Sequence, residues 1–200
     1  RSGLAAYWVY QHLGNLSPTE LDADPDCRRI VNSDTDIWPL LVDLADRADA
    51  DTAEDKGLRF SYRWDLGRNR LIMIDSRNGR VLTGDTRKML SDREFAWLSD
   101  QATDDICEID HLILGSSLPW LLPPAVADLQ SIDEALAARP GLRGRLGEKI
   151  RQAADFEHWP AFFESFVTLS ALITGLARDR RLASITVLSG DVHHSYAARA

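Results

Sequence analysis

Cysteine is scarce in this sequence. Cys27 and Cys107 stand far apart and form no C-x-x-C pair. That excludes a disulfide-stapled scaffold and a zinc ribbon, and the two read as buried or half-buried thiols. Lysine is scarcer than its usual share, occurring only at Lys56, Lys88 and Lys149. Acidic residues outnumber basic ones by 31 to 23, giving a net charge of −8. A chain that holds nucleic acid non-specifically needs a phosphate-neutralising basic face, and none is expected here. Long apolar runs are missing too. The longest, from Ala161 to Ala177, is interrupted by Glu164, Ser165, Thr168, Ser170 and Thr174. It reads as a buried amphipathic helix and not as a membrane span. Neither G-x-x-x-x-G-K, G-x-G-x-x-G, G-x-S-x-G nor H-E-x-x-H occurs. Phosphate-cradling glycine loops, a serine-hydrolase elbow and the zincin helix are thereby excluded.

What remains is an ordinary globular composition. The 200 residues are 44% hydrophobic and 27% charged, enough for one core without staples. The chain opens without Met, in Arg1-Ser2-Gly3-Leu4-Ala5-Ala6-Tyr7-Trp8, which reads as the middle of an aromatic helix. It closes on Tyr196-Ala197-Ala198-Arg199-Ala200 directly after a candidate functional loop. The expectation is a segment of a longer protein, cut at both ends, with no secretory signal visible in it.

Residues 1–57 read as a mainly helical, acidic lead-in, and 58–200 as a sheet-and-helix core. Leu16-Ser17-Pro18-Thr19-Glu20-Leu21 combines a cap, a proline at the first helical position and a capping box, and Pro25 is expected to end that helix. A helix is expected over Ile37 to Ala50. The Asp-rich stretch from Asp22 to Asp55 lacks the spacing of a calcium loop and reads as a solvated acidic surface. Leu58 to Trp64 alternates like a strand. Arg70 to Asp75, His111 to Gly115 and Ser184 to Ser189 are short apolar runs of the kind found in strands buried on both faces. Ser91-Asp92-Arg93-Glu94 opens a helix as a second capping box. Another box, Ser131 to Glu134, starts a short helix, and a long one is expected over Gly147 to Asp179, with Phe162, Phe166, Leu169, Ile173 and Leu176 on one face. Strands alternating with helices make the fold class α/β.

Each apolar run ends in polar residues: Asp75-Ser76-Arg77, Gly115-Ser116-Ser117 and Gly190-Asp191-Val192-His193-His194. Ligands of open α/β sheets bind in the crevice at those carboxyl ends. In the last group an Asp and a His two positions apart, after a turn-permitting glycine, suit a divalent or trivalent metal. The bland alternative is an Asp capping its loop. Arg77 at a strand end suits bidentate binding of phosphate, or else a structural ion pair with Asp75. Ser116 and Ser117 lack a positioned base and suit hydrogen bonding to phosphate or the loop better than nucleophilic attack. In Asp155-Phe156-Glu157-His158-Trp159, Glu157 and His158 diverge on a helix, so Trp159 reads as a packing anchor. His12 and His111 are lone histidines, and His111 reads as structural.

In this order the motifs resemble the PhoD-like alkaline phosphatases, a branch of the calcineurin-like metallophosphatases. The Tyr7-Trp8-Val9-Tyr10-Gln11-His12 opening looks like an actinobacterial branch of that family. The most specific pieces are Gly190 to His194 and Asp155 to Trp159. The resemblance implies a four-layer α/β/β/α sandwich and metal-dependent hydrolysis of phosphate mono- or diesters. By position, it implies Asp191 and His193 as metal-site residues, with Asp191 standing where the superfamily has a first histidine. Arg77 falls on the phosphate clamp. Asp75 would orient it, Ser116 would bind substrate, and His194 would bond phosphate or protonate the leaving group. Fe, Ca, Mn and Zn all suit such ligands. Two departures stand out. Ser116 occupies a position where superfamily members usually carry a metal-binding His, and the family's D-x-H, G-D and N/D-H-E/D motifs do not occur ahead of Asp75. The alternative expectation is therefore a non-catalytic phosphate-binding or scaffold module, and the isolated segment is expected to be inactive.

Overall fold

A computed structural model describes residues 1–49, 58–82, 87–122, 158–190 and 196–199. The sequence-predicted helix at Ser131 lies outside them.

The lead-in is helical. Helix α1 (Ser2–Tyr7) continues through a π-helical turn (Trp8–His12) into α2 (Leu13–Asn15). Helix α3 (Pro18–Ala23) forms both bonds of its capping box: the Glu20 amide donates to Ser17 Oγ at 3.2 Å, and the Ser17 amide to Glu20 Oε2 at 2.7 Å. Pro25 does stop α3, but it also occupies the first position of α4 (Pro25–Val31), whose N-cap is Asp24. Asp24 Oδ1 accepts the Cys27 amide at 2.6 Å. Proline has no N–H to lose there, so it starts a helix as readily as it ends one. Helix α5 is Trp38–Asp49. Ala5, Trp8, Leu41, Leu44 and Phe60 close a small core among these helices.

The rest is a mixed four-stranded sheet in the order β1-β2-β3-β4. Strands β1 (Tyr62–Leu66) and β2 (Asn69–Ile74) form an antiparallel hairpin whose turn contains Gly67 at φ 63°, a conformation that suits glycine. Strands β3 (His111–Ser116) and β4 (Ser184–Ser189) run parallel to β2. Helix α6 (Asp92–Thr103) and helix α7 (Phe163–Asp179) pack on one face of the sheet. There Ile72, Ile74, Leu112 and Leu114 are buried against Leu98, Ala102, Leu169 and Leu176. Each such large side chain contributes about 1.5–3 kcal/mol. The fold class is α/β.

Three expectations change. The last helix does not extend back through 158–162, because Pro160 sits in a 3₁₀ turn (Trp159–Ala161) and α7 begins at Phe163. Proline has no N–H to bond the preceding turn and its ring clashes there, so an α-helix does not run on through it. The apolar strands are not buried on both faces: Leu71, Met73 and Ile113 are half-buried and Leu188 is exposed. Cys107 is exposed, while Cys27 is half-buried, and both are free thiols. On the half-covered face Gly115 lies under the Met73 sulfur, which a Cβ at 115 would meet at 2.1 Å.

One buried residue of β2 carries charge. Arg70 is 1% exposed. Its Nε–H donates to Asp65 Oδ1 at 2.7 Å, and Nη1 donates to the Gln101 carbonyl at 2.9 Å and to that of Asp104. It thus closes the carboxyl end of α6, where free carbonyls and the helix dipole favour a cation. Among the described residues no helix is long and apolar enough to cross a membrane.

Candidate functional site

Strands β2, β3 and β4 end in register, with Ile74 beside Ser116 and Ser116 beside Ser189. Their carboxyl ends therefore share one edge, as the sequence pattern predicts. Asp75, Ser76 and Arg77 leave β2 there, Ser117 leaves β3 and Gly190 leaves β4. A Cβ on Gly190 would lie 4.0 Å from the Ser117 carbonyl. Asp191, His193 and His194 lie outside the described residues, as do Asp155 and Glu157.

Asp75 organises the turn. Its amide donates to Ser61 Oγ at 2.8 Å, and its Oδ1 accepts the amides of Arg77 at 3.0 Å and Asn78 at 2.8 Å. This is an Asx turn, in which a short carboxylate replaces missing backbone partners. Asp75 thus fixes Arg77 through the backbone. Burial pushes the Asp75 carboxyl above its ordinary range; the backbone donors pull it down, and the charge of Glu94 adds to the rise. Arg77 itself is exposed.

Behind the edge lies a chain of hydroxyls. Ser76 Oγ and Ser117 Oγ are 2.7 Å apart, and Ser116 Oγ donates to Ser76 Oγ at 3.3 Å. The Trp159 indole N–H donates to Ser116 Oγ at 3.0 Å. Ser76, Ser116 and Trp159 are buried, whereas Ser117 is exposed. Ser116 therefore braces the wall of the edge, and Ser117 is the hydroxyl a ligand can reach. The partners of Ser116 among the described residues, Ser76, the Trp159 indole and the Leu118 amide, include no base, which leaves the serine-nucleophile chemistry without support. Trp159 is fully buried, as a packing anchor should be. His111 begins β3, at the opposite end, and its Nδ1 pairs with Ser184 Oγ at 2.8 Å.

Two residues that sequence reasoning left aside adjoin Asp75. Glu94 forms only half of its capping box: its amide donates to Ser91 Oγ at 3.2 Å, but its carboxylate turns to Arg59, whose Nε–H donates to Oε2 at 2.8 Å. Arg59 in turn stacks on Trp97 at 4.9 Å. Tyr7, from α1, packs edge-on against Phe60 at 4.9 Å. Burial, then the nearby Asp75 charge, raise its hydroxyl pKa. The Ser-x-x-Glu pattern hid the first residue, and nothing in the local sequence signalled the second.

Among the described residues no group of three or more side chains is arranged to hold a metal ion. Comparison with protein-family models, with curated proteins and with solved structures returned no match for this chain.

Proposed function

We propose that this chain supplies part of the site of a metal-dependent phosphoesterase acting on phosphate mono- or diesters within a longer protein. One observation carries the reading: the in-register ends of β2, β3 and β4 bring Asp75, Arg77, Ser117 and Gly190 to a single edge. Asp191 to His194 follow Gly190 directly in the sequence. Arg77 clamps the phosphate through parallel hydrogen bonds. Asp75 holds the turn that presents Arg77, and Ser117 adds a hydroxyl. Asp191 and His193 are the residues that would hold the metal, and His194 donates a proton to the leaving group. A bound metal supplies Lewis acidity and lowers the pKa of a water molecule. The half-exposed apolar face at Leu71, Met73, Ile113 and Leu188 supports the α/β/β/α sandwich, in which a second sheet covers it.

A second reading has its own observation. Ser116, which stands where the resemblance calls for a metal-binding His, is buried and engaged with Trp159 and Ser76. A phosphate-binding module without turnover fits that arrangement. The experiment that separates the two is metal content by mass spectrometry, together with hydrolysis of a chromogenic phosphodiester, on the full-length parent and its His193→Ala variant. Stoichiometric metal and turnover, both lost in the variant, are expected. Metal absent from both proteins overturns the enzyme reading.

A further inference from the structure

Helix α7 turns one stripe to the sheet and leaves the opposite one bare. Ser165, Leu169 and Leu176 are buried, and Leu172 is half-buried. The helical period of 3.6 puts Glu164, Val167, Ala171, Thr174 and Arg178 on the far side, and all five are exposed. The outward face of a surface helix ordinarily carries charge along its length. Helix α6, on the same face of the sheet, does so with Asp92, Arg93 and Asp100 exposed. On α7, residues 165–177 carry no charge. A shallow groove of about 420 Å³ runs along this stretch, lined by Val167, Ala171, Thr174 and Gly175 and ending at Arg178.

The five outward residues follow one another at intervals of three, four, three and four, the repeat of a helix-pairing seam. The seam is complementary to itself when reversed. Glu164 and Arg178 stand equally far from Ala171 along the chain, as do Val167 and Gly175, and Thr168 and Thr174. Two antiparallel copies related by a twofold axis at Ala171 therefore set Val167 against glycine and Thr168 against Thr174. Unlike charges, Glu164 of one copy and Arg178 of the other, meet at both ends, about 21 Å apart. Ala171 faces itself, and so small a residue lets the two axes approach closely. A parallel pair would set like charges together instead. Lys88 Nζ lies 3.4 Å from Glu164 Oε1, but it bonds Asp92 Oδ1 at 2.7 Å, and the Glu164 side chain is 71% exposed, open to a second cation. We infer that α7 is a self-recognition surface, on which a second copy of this chain docks antiparallel through a twofold interface centred on Ala171. The inference does not depend on the phosphoesterase reading. A single helix of 17 residues buries less than the roughly 1,200 Å² of a stable complex, so the dimer is weak, with a Kd on the order of 10 µM.

The test is sedimentation velocity of the full-length protein between about 1 and 200 µM, a range that brackets that Kd. Wild type is expected to pass from monomer to dimer across it. Ala171→Glu sets two carboxylates against each other on the axis and is expected to weaken the dimer at least about tenfold. Glu164→Arg and Arg178→Glu each turn both end pairs into like charges and are each expected to weaken it at least about fivefold. The double variant, Glu164→Arg with Arg178→Glu, restores unlike pairs and is expected to dimerise within about threefold of wild type. That recovery supports the antiparallel seam. A wild type that stays monomeric throughout overturns the proposal and assigns the groove to another part of the same protein or to a different partner. A dimer indifferent to Ala171→Glu or to the single reversals overturns it, and so does a dimer that the double variant fails to restore. Circular dichroism checks the fold of each variant, and the reversals at the exposed ends keep the proposal testable if Ala171→Glu does not fold.

Discussion

The indole N–H of Trp159 donates to Ser116 Oγ at 3.0 Å, and this bond joins the turn before α7 to the carboxyl end of β3. Both partners are buried, so loss of either leaves a polar atom without water to replace it. Trp159→Phe is expected to cost about 2 kcal/mol, from lost area and the lost bond together. Ser116→Ala is expected to cost about 1 kcal/mol. Urea denaturation of the two variants and of the double variant gives the coupling between them, expected at about 1 kcal/mol. Additive losses would remove Ser116 from its bracing role.

The cap formed by Arg70 on α6 makes a prediction about acid. Burial pushes the Asp65 carboxyl up, but hydrogen bonds from Arg63 and Arg70 outweigh this and hold it at about 2. A depressed carboxyl contributes stability that is fully present above its unfolded pKa, about 4, and is lost as pH falls through about 2. Asp65 is itself 40% exposed, so solvent screening keeps the effect well below a buried pair's. Arg70→Met is expected to cost about 2–3 kcal/mol near neutral pH, chiefly through the orphaned Gln101 and Asp104 carbonyls. It should also flatten the fall in stability between pH 4 and pH 2, measured by thermal unfolding across that range. A variant with an undiminished acid slope would assign that slope to other carboxylates.

Much of this architecture was legible in the sequence because its signals are local. The apolar run from Ser184 to Ser189 is β4 residue for residue, and the carboxyl ends of β2, β3 and β4 do share one edge. The misses came from residues whose partners are distant in sequence. Arg70 looked like the first residue of an apolar run, yet it is a cap on a helix 31 residues away. Glu94 had the spacing of a capping box, but Arg59 competes for its carboxylate and wins. Pro25 and Pro160 each carry two meanings, helix stop and helix start, and only neighbouring caps and packing select between them. Of the candidate site, Asp75, Arg77 and Ser116 can be judged by geometry, while Asp191, His193 and His194 lie outside the described residues.

Asp75 gives a test that separates charge from shape. Its carboxyl is raised by burial, so the charged form is the disfavoured one. Such a group contributes stability present below its unfolded pKa and lost as pH rises through the folded value. Asp75→Asn keeps an oxygen for the Arg77 and Asn78 amides and removes the charge. At pH 7 it is expected to match or exceed wild type in urea stability. Asp75→Ala removes the acceptor and is expected to lose about 1–2 kcal/mol. Equal losses in both variants would show that the charge itself holds the turn.

His12 extends the pH argument to the helical lead-in. It lies in the π-helical turn, packs edge-on against Phe60 at 5.3 Å, and is 7% exposed. Its Nδ1 has no hydrogen-bond partner among the described residues. Burial lowers its pKa, and the charges of Asp24 and Glu20 only partly restore it. A base with a depressed folded pKa favours folding above its unfolded pKa of about 6.5, and that contribution is lost as pH falls towards the folded value. The small core of Ala5, Trp8, Leu41, Leu44 and Phe60 should therefore loosen on mild acidification while the sheet stays intact. Hydrogen exchange at pH 5.5 and pH 7.5, corrected for intrinsic rates, is expected to show protection falling over residues 2–15 and unchanged over β2 and β3. His12→Leu, which fills the site without a titrating group, should abolish the difference. If residues 2–15 open equally in that variant, the acid sensitivity belongs to the surrounding carboxylates and not to the buried imidazole.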